Sequence, residues 1–194
     1  MTDVRFELRP FFGRGVHGRA GVVGGVGRVT VEVVRRKKSG RAGPPQSDVR
    51  VSGDGVPDVV YQPLWTARPT IRNARLSVGG APVRLAFNRR AVRNEARGLT
   101  FEAAGRAYRY VAGKGGWGGT LTRDGVVVAL TLGKNPAGRG MSSFGEVTGP
   151  ADGTDLALAA LFEEVDTLEI TATGAVTGVV HRMLTPRVSE AYPE

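Results

Sequence analysis

The chain has 194 residues, 41% of them hydrophobic and 23% charged, with two histidines and no cysteine. That length supports one domain with a sizeable core, and the composition excludes wholesale disorder. Without cysteine there are no disulfides or thiolate metal sites, and the opening MTDVRFELRP lacks the apolar stretch of a signal peptide, so a soluble cytoplasmic protein is expected, with a peripheral place at the membrane as the alternative.

The charge is unevenly placed. Residues 1–97 hold 19 Lys+Arg against 7 Asp+Glu, whereas residues 98–194 hold 8 against 11. A basic first half favours an anionic partner, either a phospholipid surface or nucleic acid. The competing explanation is composition: arginine far outnumbers lysine, and Gly, Ala and Val are abundant, as in a GC-rich coding sequence.

The first predicted element is a half-buried strand over 4–12, where Val4, Phe6 and Leu8 alternate with Arg5, Glu7 and Arg9, ended by Pro10. The following glycine-rich stretch contains Gly13-x-Gly15-x-x-Gly18. A dinucleotide-binding turn of that spacing needs a helix behind it, and the glycines that follow cannot supply one, so a loop or bulged strand is predicted. Gly27–Val34 reads as a strand with Val29, Val31 and Val33 on one face.

Arg35, Arg36, Lys37, Lys38 and Arg41 then run into a Gly/Pro loop and form the first candidate anion-binding group. Short strands are expected at 49–51 and 56–64, with Trp65 as a core or lid residue. Thr70–Val78 and Val83–Phe87 read as two strands about Gly79-Gly80. Residues 88–98 read as a loop or short helix. Arg89, Arg90, Arg93 and Arg97 could share a side there, and they form the second candidate group.

The second half reads more clearly. Strands are predicted at 99–102 and 106–111, a flexible glycine turn around Trp117, and a hairpin over 120–132 turning at Asp124-Gly125. Residues 133–150 read as a loop or frayed strand. A helix over about 154–166 follows, capped by Thr154 or Asp152, and Leu156–Phe162 makes it apolar on every side. It is therefore expected to be buried, with Glu163 and Glu164 marking where it meets solvent. It is too short to span a membrane. A last hairpin is predicted from Leu168–Thr171 and Val176–Leu184, within a single domain over 1–185, followed by a mobile tail over 186–194.

Catalytic signatures are sparse. His17 and His181 have no companions at metal-ligand spacing, so neither metal nor cofactor is predicted. Ser142-Ser143 lacks a nucleophile-elbow setting.

Tyr108 and Tyr110 on one strand, a hairpin at Asp124-Gly125, and the apolar helix Leu156–Val165 together resemble the tubby C-terminal-like superfamily, which includes LURP-one-related and scramblase-like proteins. The resemblance covers about residues 99–166. It implies a closed β-barrel threaded by the helix and, for some members, binding to phosphoinositides or membrane surfaces.

The predicted fold is mainly β: an antiparallel barrel or curved sheets packed around one buried apolar helix. The expected function is a non-catalytic binding or scaffold protein with a basic surface. Two alternatives are an enzyme with a pocket of dispersed residues, which a polar cleft holding His17 or His181 near a carboxylate would favour, and a subunit of a larger assembly with protein partners.

Overall fold

The computed structural model describes residues 4–36, 46–64, 70–71, 74–88, 91, 93–133 and 140–171. The first half contributes β1 (Val4–Gly13), β2 (Val16–Val23), β3 (Gly27–Arg35), β4 (Ser47–Gly53), β5 (Val59–Pro63), β6 (Ala74–Val78), β7 (Ala81–Val83) and β8 (Ala86–Phe87). The four-residue helix α1 (Asn94–Arg97) separates these from β9 (Leu99–Ala103), β10 (Arg106–Ala112), β11 (Gly119–Arg123), β12 (Val126–Leu132) and β13 (Ser143–Thr148). Helix α2 (Gly153–Leu161) follows.

All thirteen strands form one antiparallel sheet in the order β7-β6-β5-β4-β3-β2-β1-β13-β12-β11-β10-β9-β8. Consecutive strands pair with each other except β7 and β8, and β1 also joins β13, which brings the two ends of the meander together. The handover occurs inside β1: Val4–Leu8 pair with β13, and Arg9–Gly13 pair with β2. Pro10 therefore continues the strand instead of ending it. It lies where β1 has only one partner, the position at which a missing N–H costs the ladder little.

The sheet is not closed into a barrel. The predicted strand Val83–Phe87 is divided at Arg84-Leu85: β7 bonds to β6, β8 bonds to β9, and β7 does not pair with β8. Pro82 also removes one backbone donor from the β7 edge. The result is a strongly curled open sheet with a seam between β7 on one side and β8 and β9 on the other.

Alternation decides which face points inward. Val29, Val31, Val33, Val49, Val51, Leu99, Phe101, Tyr108, Tyr110, Leu121, Val128 and Leu130 are buried and share a core with α2. The helix lies against β3, β4 and β5 on one side and β11 and β12 on the other. Its apolar run from Leu156 to Leu161 is buried throughout, because protein surrounds it on all sides.

Three predicted elements are corrected. The helix ends at Leu161, not near 166. Glu163 N–H and Glu164 N–H donate to Ala160 and Leu161 carbonyls three residues back, which tightens the last turn. Leu168–Ile170 is a 3₁₀ turn, not a strand. Residues 133–150, read as a loop or frayed strand, contain β13, which is paired on both sides as a central strand. Its inward residues Ser143, Gly145 and Val147 are too small and mixed to show alternation in the sequence. Gly145 is required by packing: a Cβ there would fall 2.1 Å from Phe6 Cζ.

Candidate functional site

Three polar regions surround the core, one at each end of α2 and one along the seam. At the N-terminal end, Asp152 caps the helix, accepting from Thr154 N–H (2.9 Å) and Asp155 N–H (3.2 Å). Asp155 returns the bond, accepting from Asp152 N–H at 2.9 Å. The Asp155 carboxylate is buried. It accepts from Arg123 Nε (2.8 Å) and Nη2 (2.9 Å) and from the Tyr108 hydroxyl (2.9 Å). Arg106 pairs with Asp152 at 2.7 Å.

Burial pulls the Asp152 pKa upward, but the Arg106 guanidinium and two backbone N–H groups outweigh it and hold it below the usual range. The Tyr108 pKa is raised by burial and by its bond to Asp155. Every charge in this cluster has a partner.

At the opposite end, Arg19 on β2 donates to Met141 O (3.1 Å) and Glu163 O (3.2 Å) and forms an ion pair with Glu164. Ser143 donates its hydroxyl to Glu163 Oε2 at 2.5 Å, and Glu163 Oε1 is buried without a hydrogen-bond partner among the described residues. Burial pushes the Glu163 pKa up, with Ser143 and Arg19 opposing. It pushes Glu164 up as well, opposed by Arg19 and assisted by Glu163. These carboxylates thus do not mark the exit of the helix to solvent. They turn back against β2 and β13 and line a cavity of about 550 Å³ together with His17, Trp117 and Leu168.

Trp117 is 63% exposed on a loop whose Gly115, Gly116 and Gly118 have positive φ. That conformation is open to glycine and strained for other residues. The loop is anchored, with Gly113 N–H donating to Gly118 O (2.9 Å) and the Thr167 hydroxyl to Gly116 O (3.2 Å).

Glu163 also allows a stability test. A carboxyl whose folded pKa is raised holds its proton more tightly in the folded state. That contribution is complete below the unfolded value, near 4.5, and is lost as pH rises through the raised folded value. Glu163→Gln should therefore match the parent in acid and exceed it in thermal stability at neutral pH. Melting temperatures at pH ~4 and ~8 check this, and an unchanged difference between the two would reject it.

Along the seam, two adjoining cavities of about 730 and 770 Å³ share Pro82 and Arg84. Arg75 lines the first, and Arg109 and Arg123 line the second beside Glu102. Arg75, Arg84 and Arg109 are exposed. Arg109 donates to Glu95 O, and Arg123 is held by Asp155, whereas Arg75 and Arg84 have no ion-pair partner among the described residues.

The residues proposed from sequence fare unequally. Arg35 is exposed at the end of β3. Arg36 is committed internally: it pairs with Asp48 and donates to Gln46 Oε1 at 2.6 Å and Pro63 O at 3.4 Å. Arg93 is exposed before α1, but Arg97 is buried and donates to Ala91 O (2.9 Å) and Glu169 O (2.6 Å). Lys37, Lys38, Arg41, Arg89, Arg90, Trp65, His181 and the segment 172–194 lie outside the described residues.

Sequence reasoning missed Arg75 and Arg84, which stand singly in the chain and meet only because β6 and the β7–β8 link share the seam. No group of three or more metal-ligating side chains occurs among the described residues, and no helix there is long and apolar enough to cross a membrane. Comparison with protein-family models, with curated proteins and with solved structures gave no match to this chain.

Proposed function

We propose that the protein is a non-catalytic binding protein whose open seam presents arginines to an anionic partner, a phospholipid headgroup surface before nucleic acid. The observation that carries this reading is the seam itself: Arg75 and Arg84 are exposed and without acidic partners among the described residues, and they line adjoining cavities. Guanidinium groups held this way can fork onto phosphate oxygens without first breaking an ion pair. Arg35 and Arg93 extend the exposed positive charge.

The experiment is co-sedimentation with phosphatidylserine and phosphatidylcholine vesicles across a salt series, with a short DNA duplex as competitor. Binding to the anionic vesicles should fall with salt. Arg75→Glu with Arg84→Glu should weaken it at least about tenfold, since each basic residue near an anionic surface contributes about 1 kcal/mol. Salt-independent binding would reject the reading, and full displacement by DNA would move it to nucleic acid.

A second reading, an enzyme with a dispersed pocket, draws on one observation: His17 lines the same cavity as Glu163 and Glu164.

A further inference from the structure

The cavity at the C-terminal end of α2 has a charge imbalance that the seam reading does not use. Glu163, Glu164 and Asp166 line it, and Arg19 is the sole guanidinium among its lining residues. Arg19 is taken by Glu164 and by two backbone carbonyls. Among the described residues, Glu163 is left with a neutral hydroxyl on one oxygen and no hydrogen-bond partner on the other. Oε1 itself is buried, so a cation in the cavity meets the accessible part of the Glu163 side chain and gains a charge-assisted contact with a carboxylate that no ion pair among the described residues uses.

Three further features favour positive charge with an apolar body behind it. The cavity lies just beyond the end of α2, where the helix dipole is negative. The Trp117 ring stands largely exposed at its edge, offering a face for cation–π contact. Val33, Leu132 and Leu168 supply apolar wall, and Leu168 is 38% exposed. The volume of about 550 Å³ suits a small organic molecule.

We propose that this cavity binds a small organic ammonium ion carried on an apolar or aromatic body, with Glu163 as its carboxylate and Trp117 as its aromatic wall. The site is independent of the seam and differs from it in sign: one takes anions and the other a cation. Binding should also release a proton, because burial raises the Glu163 pKa in the empty cavity and a bound cation favours its ionised form. The groups around it are Arg19 and His17 from β2, Ser143 from β13, Tyr110 from β10, and neighbouring Glu164.

The test is calorimetric titration of the full chain with benzylamine, with benzyl alcohol and benzoate as neutral and anionic comparators. Tryptophan fluorescence provides a second signal. Benzylamine should bind saturably and at least about tenfold more tightly than benzyl alcohol. Glu163→Gln should weaken it by about 10- to 100-fold, the loss of one charge-assisted contact. Trp117→Ala alters an exposed side chain, so the fold survives, and it should weaken binding by about 2- to 30-fold. Benzylamine should also raise the melting temperature of the parent and leave that of Glu163→Gln nearly unmoved. The proposal is overturned by equal affinity for benzyl alcohol, by unaltered binding in both variants, or by no saturable binding of benzylamine up to ~10 mM.

Discussion

Asp155→Ala should lower stability by about 3–5 kcal/mol, the cost of removing one partner from a buried, hydrogen-bonded charge pair. In a chain of this size that lowers the melting temperature by on the order of 10 °C. The Asp155 side chain is 1% exposed, and Arg123 spans both of its oxygens at 2.8 and 2.9 Å. Deleting it leaves the Arg123 guanidinium with only the carbonyls of Asp124 and Pro150 and no carboxylate, unpairs the Tyr108 hydroxyl and removes the returning half of the capping box. Arg123→Ala should cost less. Asp155 would keep its bonds from Tyr108 and Asp152 N–H, and Arg123, 16% exposed, is in closer touch with water. Chemical denaturation of both variants checks the order. A cost below about 1 kcal/mol for Asp155→Ala, no more than an exposed ion pair is worth, would sink the argument.

Phe162→Ala should cost a similar amount, about 3–5 kcal/mol, by a different mechanism. Phe162 is 2% exposed, and its ring stacks on Tyr110 with centroids 4.3 Å apart and packs against Phe101 at 6.0 Å. Truncation loses the transfer free energy of the ring and leaves a cavity between the end of α2 and β9 and β10. Phe162→Leu keeps most of the volume and should lose less. A urea midpoint for Phe162→Leu equal to the parent's would show that the aromatic stack contributes little, against the about 0.5–1.5 kcal/mol expected of such pairs.

Helix α2 was legible because its apolar run leaves no polar face, and that pattern has one stable outcome, burial on all sides. The strands β3, β9, β10, β11 and β12 were legible from alternation and from the Asp124-Gly125 turn. β13 was not, since Gly145 carries no hydrophobic signal. Its place depends on Phe6, a residue distant in the chain, filling the space above it. The candidate arginines divided for the same reason. Arg36 and Arg97 resemble Arg35 and Arg93 in the sequence, yet Asp48 takes the first and the carbonyls of Ala91 and Glu169 take the second. Glu163 and Glu164 read as a solvent-facing helix end because nothing near them in the chain announces Arg19 or Ser143.

By itself, then, the sequence determined the mainly β class, the buried helix and the excess of positive charge in the first half, because local periodicity and composition encode them. Only the tertiary structure decided that the sheet stays open between β7 and β8, that Arg75 and Arg84 share that seam, and that two half-buried carboxylates line a cavity beside Trp117. Each of these depends on pairing and packing between residues far apart in the chain, and local patterning does not record such contacts.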